Sequence, residues 1–186
     1  FQVADKEASA AVKQSFLEVT GKYATENDIK ETQLDITYAK NMRLTPEKIR
    51  DMDTDVEKFP EIFRTYNAKL RQMQMIDYDD QMIYALRILE QYPEVLAHFR
   101  EQYRYFCVDE AQDTSKIQHD MIDLLAAQSR NLFMVGDEDQ SIYGFRAAYP
   151  DALMQFEQTY PKARVLLMEK NYRSTPEILH LANGFI

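Results

Sequence analysis

Between residues 103 and 168 three short, unbroken apolar runs recur, "YRYFCVD", "NLFMVGD" and "ARVLLME", each followed by a polar loop and then a helical pattern. Runs of this length rich in Phe, Val, Leu and Tyr read as buried strands, and a helix between successive strands forces them to lie parallel. The expectation is an α/β fold with helices on the faces of a parallel sheet. In such sheets ligands sit at the carboxyl ends of the strands. Those ends are where the chain carries its unusual residues: Asp109 and Glu110, Gly136 and Asp137, and the segment after Met168.

Residues 1 to 102 have a different texture. Apolar and charged residues mix at helical spacing around 5–19, 25–40, 46–51, 55–75, 79–91 and 93–101, which predicts an almost entirely helical region. Gly21 closes the first helix, and Thr45 with Pro46 supplies a cap followed by proline at the first helical position. In "MIDYDDQMI", 75–83, Asp77 is placed to cap a helix whose first turn holds Asp79 and Asp80. Three close acids could also bind a cation, but capping accounts for them without one.

Charge and cysteine content narrow the function classes. The 186 residues carry a net charge of −9, with 14 Lys/Arg against 18 Asp/Glu in residues 1–100 and 8 against 13 in 101–186. Neither half is basic, so any contact with nucleic acid rests on a few placed cations and on aromatic stacking. Cys107 is the one cysteine and stands in an apolar run, which excludes an internal disulfide and predicts a buried, inert thiol. His98, His119 and His180 lack metal-ligand spacing, so a zinc site is not expected. No apolar stretch has the length of a membrane span, and the acidic N-terminus is unlike a signal peptide; the setting expected is intracellular, in the cytoplasm. The chain opens on Phe1 rather than methionine, which suggests a piece of something longer.

Three constellations carry chemistry. In "YRYFCVDEAQDTS" a strand over 105–108 delivers Asp109 and Glu110, one placed to hold a Mg²⁺-bound water and the other to orient or deprotonate an attacking water. Strands also end in acids simply for solvation, so this motif alone decides little. In "MVGDEDQSIYGFRAA" a second strand is followed by Gln140, able to donate and accept, and then by Tyr143, Phe145 and Arg146. Such aromatics either stack on bases or fill a core. In "MEKNYRSTPEILHLAN" a third strand ends near Met168, and Ser174, with Glu177 at capping-box spacing and Pro176, starts a helix. Tyr172 and Arg173 then ride on a short connector, the ring free to stack and the guanidinium to meet a phosphate or only solvent.

Taken together, "VDEAQDTS", "VGDEDQSIYGFRAA" and "MEKNYRSTPEIL", in this order and spacing, closely resemble the Walker B, coupling and nucleotide-sensing motifs of UvrD/Rep/PcrA-type superfamily 1 helicases. "DYDD" at 77–80 is similar to a further acidic motif of that family. The resemblance spans essentially the whole chain and implies an ATP-dependent DNA helicase, moving 3′ to 5′, with ATP and Mg²⁺ as cofactors and single-stranded and duplex DNA as partners. It implies that Asp109 coordinates Mg²⁺, Glu110 activates water, and Gln140 touches the γ-phosphate and links nucleotide state to DNA grip. Tyr172 would stack on adenine, Arg173 would serve as an arginine finger, and Tyr143, Phe145 and Arg146 would line the single-strand path. Gln112 and Asp113 would hold the loop in shape.

The same resemblance implies a domain plan: a helical insertion over 1–102, later strands of a first RecA-like motor lobe over 103–167, and the start of a second lobe over 168–186. Many relatives carry tryptophan where this chain has Phe145 and arginine where it has Gly144, so stacking here uses a smaller ring and less charge. A phosphate loop is missing from the sequence: Gly21-Lys22 is followed by Tyr23 instead of Ser/Thr, and Phe16 stands where its first glycine belongs. The expectation is a middle segment, inactive as an ATPase by itself. The rival readings are a helicase-nuclease subunit and a non-catalytic helicase-like interaction module.

Overall fold

The computed structural model describes residues 1–137, 149, 156–182 and 184. The chain is mixed α/β and divides into two compact units, Phe1–Met154 and Gln155–Ile186. In the first unit, β1 (Gln2–Val3) leads into α1 (Lys6–Thr20), α2 (Glu26–Asn41), α3 (Pro46–Arg50) and α4 (Phe59–Gln72). Then follow β2 (Met75–Ile76), α5 (Tyr78–Gln91), α6 (Pro93–Gln102), β3 (Phe106–Val108), α7 (Lys116–Ala126) and β4 (Leu132–Met134).

Local signals set most of these boundaries. Gly21 sits at φ 72°, a left-handed conformation that costs glycine nothing, and its N–H returns to Leu17 O at 2.8 Å to close α1. Thr45 accepts from the Lys48 N–H with Pro46 in the first turn of α3. Asp77 caps α5 by accepting from the Asp80 N–H, and Asp80 answers on the Asp77 N–H. Asp77 and Asp80 of "DYDD" are thus a capping box, as their spacing requires. The predicted helix over 55–75 is shorter, because Lys58 takes a left-handed φ of 57° and α4 starts only at Phe59.

The helical region is not wholly helical. β1 and β2 pair in parallel, Gln2 with Met75 and Val3 with Ile76, and the ladder continues as Ala4 N–H to Ile76 O at 2.8 Å. Each strand has two residues, too few for an alternation to register in the sequence. Above this pair α1 packs on α4, α2 and α3 close the sides, and Val12, Phe16, Ile36, Phe59, Ile62 and Leu70 form the core. Phe59 and Ile62 are 0% exposed. Burial of each such side chain contributes about 1.5–3 kcal/mol.

The second sheet begins at β3, which pairs in parallel with β4, Phe106 to Leu132, Cys107 to Phe133 and Val108 to Met134. α7 is the crossover between them, and it packs on α5 and α6. Two findings depart from expectation. Cys107 is exposed, because it and its partner Phe133, itself 59% exposed, share the face of β3–β4 that is left open. In addition, the predicted third strand over "ARVLLME" does not form. Residues 163–168 pair with no described strand, and Leu167 and Met168 are 81% and 83% exposed. A strand holds its shape by satisfying its N–H and C=O groups on a neighbour, so without one the apolar run stays irregular.

The second unit contains α8 (Phe156–Thr159) and α9 (Pro176–Ala182). The Phe156 and Tyr160 rings lie 4.9 Å apart. Because α9 starts at Pro176, Thr175 rather than Ser174 stands just ahead of it, and the Leu179 N–H returns to Thr175 O at 3.1 Å.

Candidate active site

The loop after β3 is folded back onto the end of β4 by a set of short-range bonds. Val135 N–H donates to Val108 O at 2.8 Å and extends the ladder by one rung beyond β4. Glu110 then turns the chain at φ 50° and ψ 45°, the left-handed region, which costs a side chain with a Cβ about 1–2 kcal/mol. That turn lets the Ala111 N–H return to Val135 O at 2.9 Å and starts a single 3₁₀ turn over Ala111–Asp113. A strained, non-glycine residue at the carboxyl end of a parallel strand is a feature that surrounding structure must hold in place.

Gln112 does the holding. It is 1% exposed, its Nε2 donates to Glu110 Oε2 at 2.6 Å, and its Oε1 accepts from the Asp137 N–H at 3.0 Å. One buried amide therefore joins the ends of both strands and uses its donor and acceptor sides on different elements. The Glu110 N–H donates to Asp109 Oδ1 at 3.0 Å, so the two exposed carboxylates are oriented by the same turn. The sequence reading that Gln112 shapes this loop agrees with these bonds.

Behind the loop, the Ser115 N–H donates to Gln118 Oε1 at 2.7 Å at the start of α7, a capping-box bond. Thr114 Oγ1 donates to Ala111 O at 2.7 Å and also meets His119 Nε2. His119 is buried, and burial holds its imidazole below the ordinary histidine pKa. Its ring faces Tyr149 edge-on at 6.3 Å, and the Tyr149 N–H donates to Thr114 O at 2.9 Å.

The donor set suits a hard cation shared with a phosphate. Mg²⁺ takes one or two carboxylates and fills its octahedron with phosphate oxygens and water. Asp109 and Glu110 offer such oxygens side by side at a strand end, whereas among the described residues no group of three or more His, Cys, Asp or Glu side chains could hold a metal alone.

Of the other residues singled out from sequence, Gln140, Tyr143, Phe145 and Arg146 lie outside the described residues. Tyr172 and Arg173 belong to the second unit. There Asn171 Oδ1 accepts from the Arg173 N–H at 2.8 Å and the Ser174 N–H at 2.9 Å, an Asx turn that fixes the connector ahead of α9. Tyr172 is 82% exposed, with Lys170 Nζ 5.0 Å from its ring centre. Gly21-Lys22 serves as a helix end, with Lys22 Nζ on Glu57 at 2.7 Å.

One cluster went unnoticed in the sequence. Lys40 Nζ bonds Asp77 Oδ2 at 2.6 Å and Asp80 Oδ1 at 2.8 Å, and Tyr66 Oη donates to the same Asp77 oxygen at 2.7 Å. Asn41 Nδ2 and Thr37 Oγ1 take the two oxygens of Asp79 at 2.7 and 2.9 Å. Burial and the Asp77 charge push the Tyr66 phenol far above the usual tyrosine range, so it stays a donor. The available signal was Lys40 itself, which falls on the buried stripe Thr32, Ile36, Ala39 of α2 at helical spacing.

Among the described residues no helix is long and apolar enough to cross a membrane. The description of the UvrD/REP helicase N-terminal domain matches residues 1–161. Over 153 residues, 81% of the chain, it is 40% identical to the ATP-dependent DNA helicase PcrA of Leuconostoc citreum, covering 20% of that protein. Over 153 residues it is also 37% identical to the PcrA helicase of Staphylococcus epidermidis and 38% identical to that of Staphylococcus aureus, covering 21% of each. The chain thus spans about a fifth of the length of the curated relatives it matches. On this sequence match, the chain belongs to the UvrD/REP helicase family.

Proposed function

We propose that this chain is the middle of an ATP-dependent DNA helicase that couples ATP hydrolysis to 3′-to-5′ movement on single-stranded DNA and to duplex unwinding. Residues 1–102 form its helical insertion, 103–167 the later part of the first motor lobe and 168–186 the start of the second. The observation that carries the reading is the left-handed Glu110, held by buried Gln112 against the Asp137 backbone.

In this reading Asp109 holds Mg²⁺ together with the nucleotide phosphates, and Glu110 receives a proton from the attacking water. Mg²⁺, when bound, supplies neutralisation of charge on the phosphate oxygens. Glu110 suits its role because its carboxylate is exposed to solvent on one side and aimed by the Gln112 amide on the other. Gln140 contacts the γ-phosphate, Tyr172 stacks on the adenine, and Arg173 meets charge developing on the transferred phosphoryl group. Tyr143, Phe145 and Arg146 hold the single strand by stacking and by a phosphate contact. The PcrA relatives, named as ATP-dependent DNA helicases, support the assignment. The cytoplasm is the compartment proposed.

The test is Glu110→Gln in the full-length protein. DNA-stimulated ATPase is expected to collapse while nucleotide and DNA binding persist; ATPase equal to that of the unchanged protein would remove Glu110 as the base. The 186-residue chain by itself is expected to turn over no ATP.

A further inference from the structure

Within the first unit, a recess of about 380 Å³ opens between α2, α4 and α5, with Ile117 of α7 on its wall. Its lining includes Lys40, Arg43, Arg71 and Arg87 but only one acid, Asp80. These four cations against one acid line the recess of a chain whose net charge is −9.

The nearby carboxylates are already committed. Asp77 and Asp80 are held by Lys40, with Asp77 also taking the Tyr66 hydroxyl, while Asp79 is held by Thr37 and Asn41. Arg43 is occupied in turn, its Nη2 on Glu90 at 3.0 Å and its Nη1 on Asp120 at 2.8 Å. That leaves Arg71 and Arg87, whose guanidinium groups have no ion pair or hydrogen bond among the described residues. The side chains three and four positions either side of Arg71 are Asn67, Ala68, Gln74 and Met75, none of them acidic. For Arg87 the only acid so placed is Glu90, which Arg43 already holds. Arg87 lies over the Tyr84 ring at 6.0 Å, which leaves its hydrogen-bonding edge unused.

Two unpaired planar forks on the wall of one concave recess are the arrangement that recognises a tetrahedral oxyanion. We propose that this recess is a phosphate-binding site, with Arg71 and Arg87 as its two anion-contacting residues. The shared chemistry is a phosphate group, which reaches the recess either on a nucleic-acid strand or as a small polyphosphate. The site lies outside the Asp109–Glu110 loop and does not depend on the hydrolysis assigned there.

The test uses the 186-residue chain with two probes, a labelled 12-nucleotide oligothymidylate read by anisotropy across a salt series, and inorganic pyrophosphate read by calorimetry. Arg71→Gln with Arg87→Gln is compared with a charge-matched control, Lys13→Gln with Lys30→Gln, both pairs checked for fold by circular dichroism. The site predicts that the arginine pair weakens one probe by about tenfold or more, while the control changes it less than about twofold. If the strand is the source, the slope of log affinity against log salt also flattens by about 1.4, the share of two phosphates on a single strand. Pyrophosphate affected and oligothymidylate untouched assigns the site to a small ligand. The proposal is overturned if neither probe binds, if the arginine pair binds as well as the unchanged chain, or if the control weakens binding equally. None of these readings involves ATP turnover, so failure here and failure of the proposed hydrolysis are separable.

Discussion

Gln112 Nε2 donates to Glu110 Oε2 at 2.6 Å from a side chain that is 1% exposed, so the exposed carboxylate at the end of β3 is aimed from inside the protein. The other end of the same amide accepts from the Asp137 N–H after β4. Gln112→Leu keeps most of the volume and removes both bonds. It is expected to lower unfolding stability by about 1–3 kcal/mol, the range for stranding polar groups at a buried position, as read from urea denaturation of the chain. In the full-length protein kcat for ATP is expected to fall with little change in KM, because Glu110 loses its orientation and not its binding partners. A variant that keeps its kcat would show that Glu110 is aimed by something else.

Lys40 is 4% exposed and bridges Asp77 and Asp80, joining α2 to the start of α5. Lys40→Met fits the same stripe of α2 but leaves two carboxylates facing an apolar wall. The expected loss is about 3–5 kcal/mol, the cost of breaking a buried ion pair from one side. Adding Asp77→Asn and Asp80→Asn is expected to restore much of it, since no uncompensated charge then remains. Equal stability of the single and triple variants in urea titrations would rule out the ion pair as the source.

What the sequence disclosed here divides along a physical line. Caps at Gly21, Thr45 and Asp77 were legible because each depends on residues within four positions of one another. The strands over 106–108 and 132–134 were legible because each is an unbroken apolar run ahead of a polar loop. "ARVLLME" has such a run, yet strand formation depends on a neighbour that no local pattern contains. Cys107 failed for a related reason: its exposure is decided by which face of β3–β4 is covered, not by the residues beside it. The β1–β2 pair and the Lys40–Asp77 bridge join segments 73 and 37 positions apart, beyond the reach of periodicity. At the site, the acids were legible as residue types, whereas the left-handed turn at Glu110 was not, since glutamate has no preference for it.

His119 predicts an acid-side loss of stability. Burial depresses its pKa in the folded chain below the ordinary value of 6.5, so the folded state keeps the ring neutral while the unfolded chain protonates near 6.5. Below that pH the unfolded state binds more protons, and stability falls as the pH drops from 6.5 toward the folded pKa; above 6.5 the contribution is complete. His119→Gln removes the titration, and its stability curve is expected to be flatter over that window. Thermal midpoints measured in steps from pH 7.5 to 5 provide the check, with parallel curves for both proteins counting against a buried neutral imidazole.

Arg173 gives the sharpest separation between a motor role and a scaffold role for the second unit. The Asx turn of Asn171 fixes its backbone while its side chain stays exposed, the state of a group held ready for a ligand rather than packed into a core. If it meets the transferred phosphoryl group, Arg173→Ala in the full-length protein should reduce DNA-stimulated kcat by about 10³-fold or more, with a smaller change in KM for ATP. Arg173→Lys should recover little, because an ammonium cannot reproduce a planar, two-pronged contact. The fold should tolerate either change, since the side chain makes no buried contact. A scaffold role predicts the reverse pattern: turnover within about twofold of the unchanged protein for both variants, and no difference between lysine and alanine at this position.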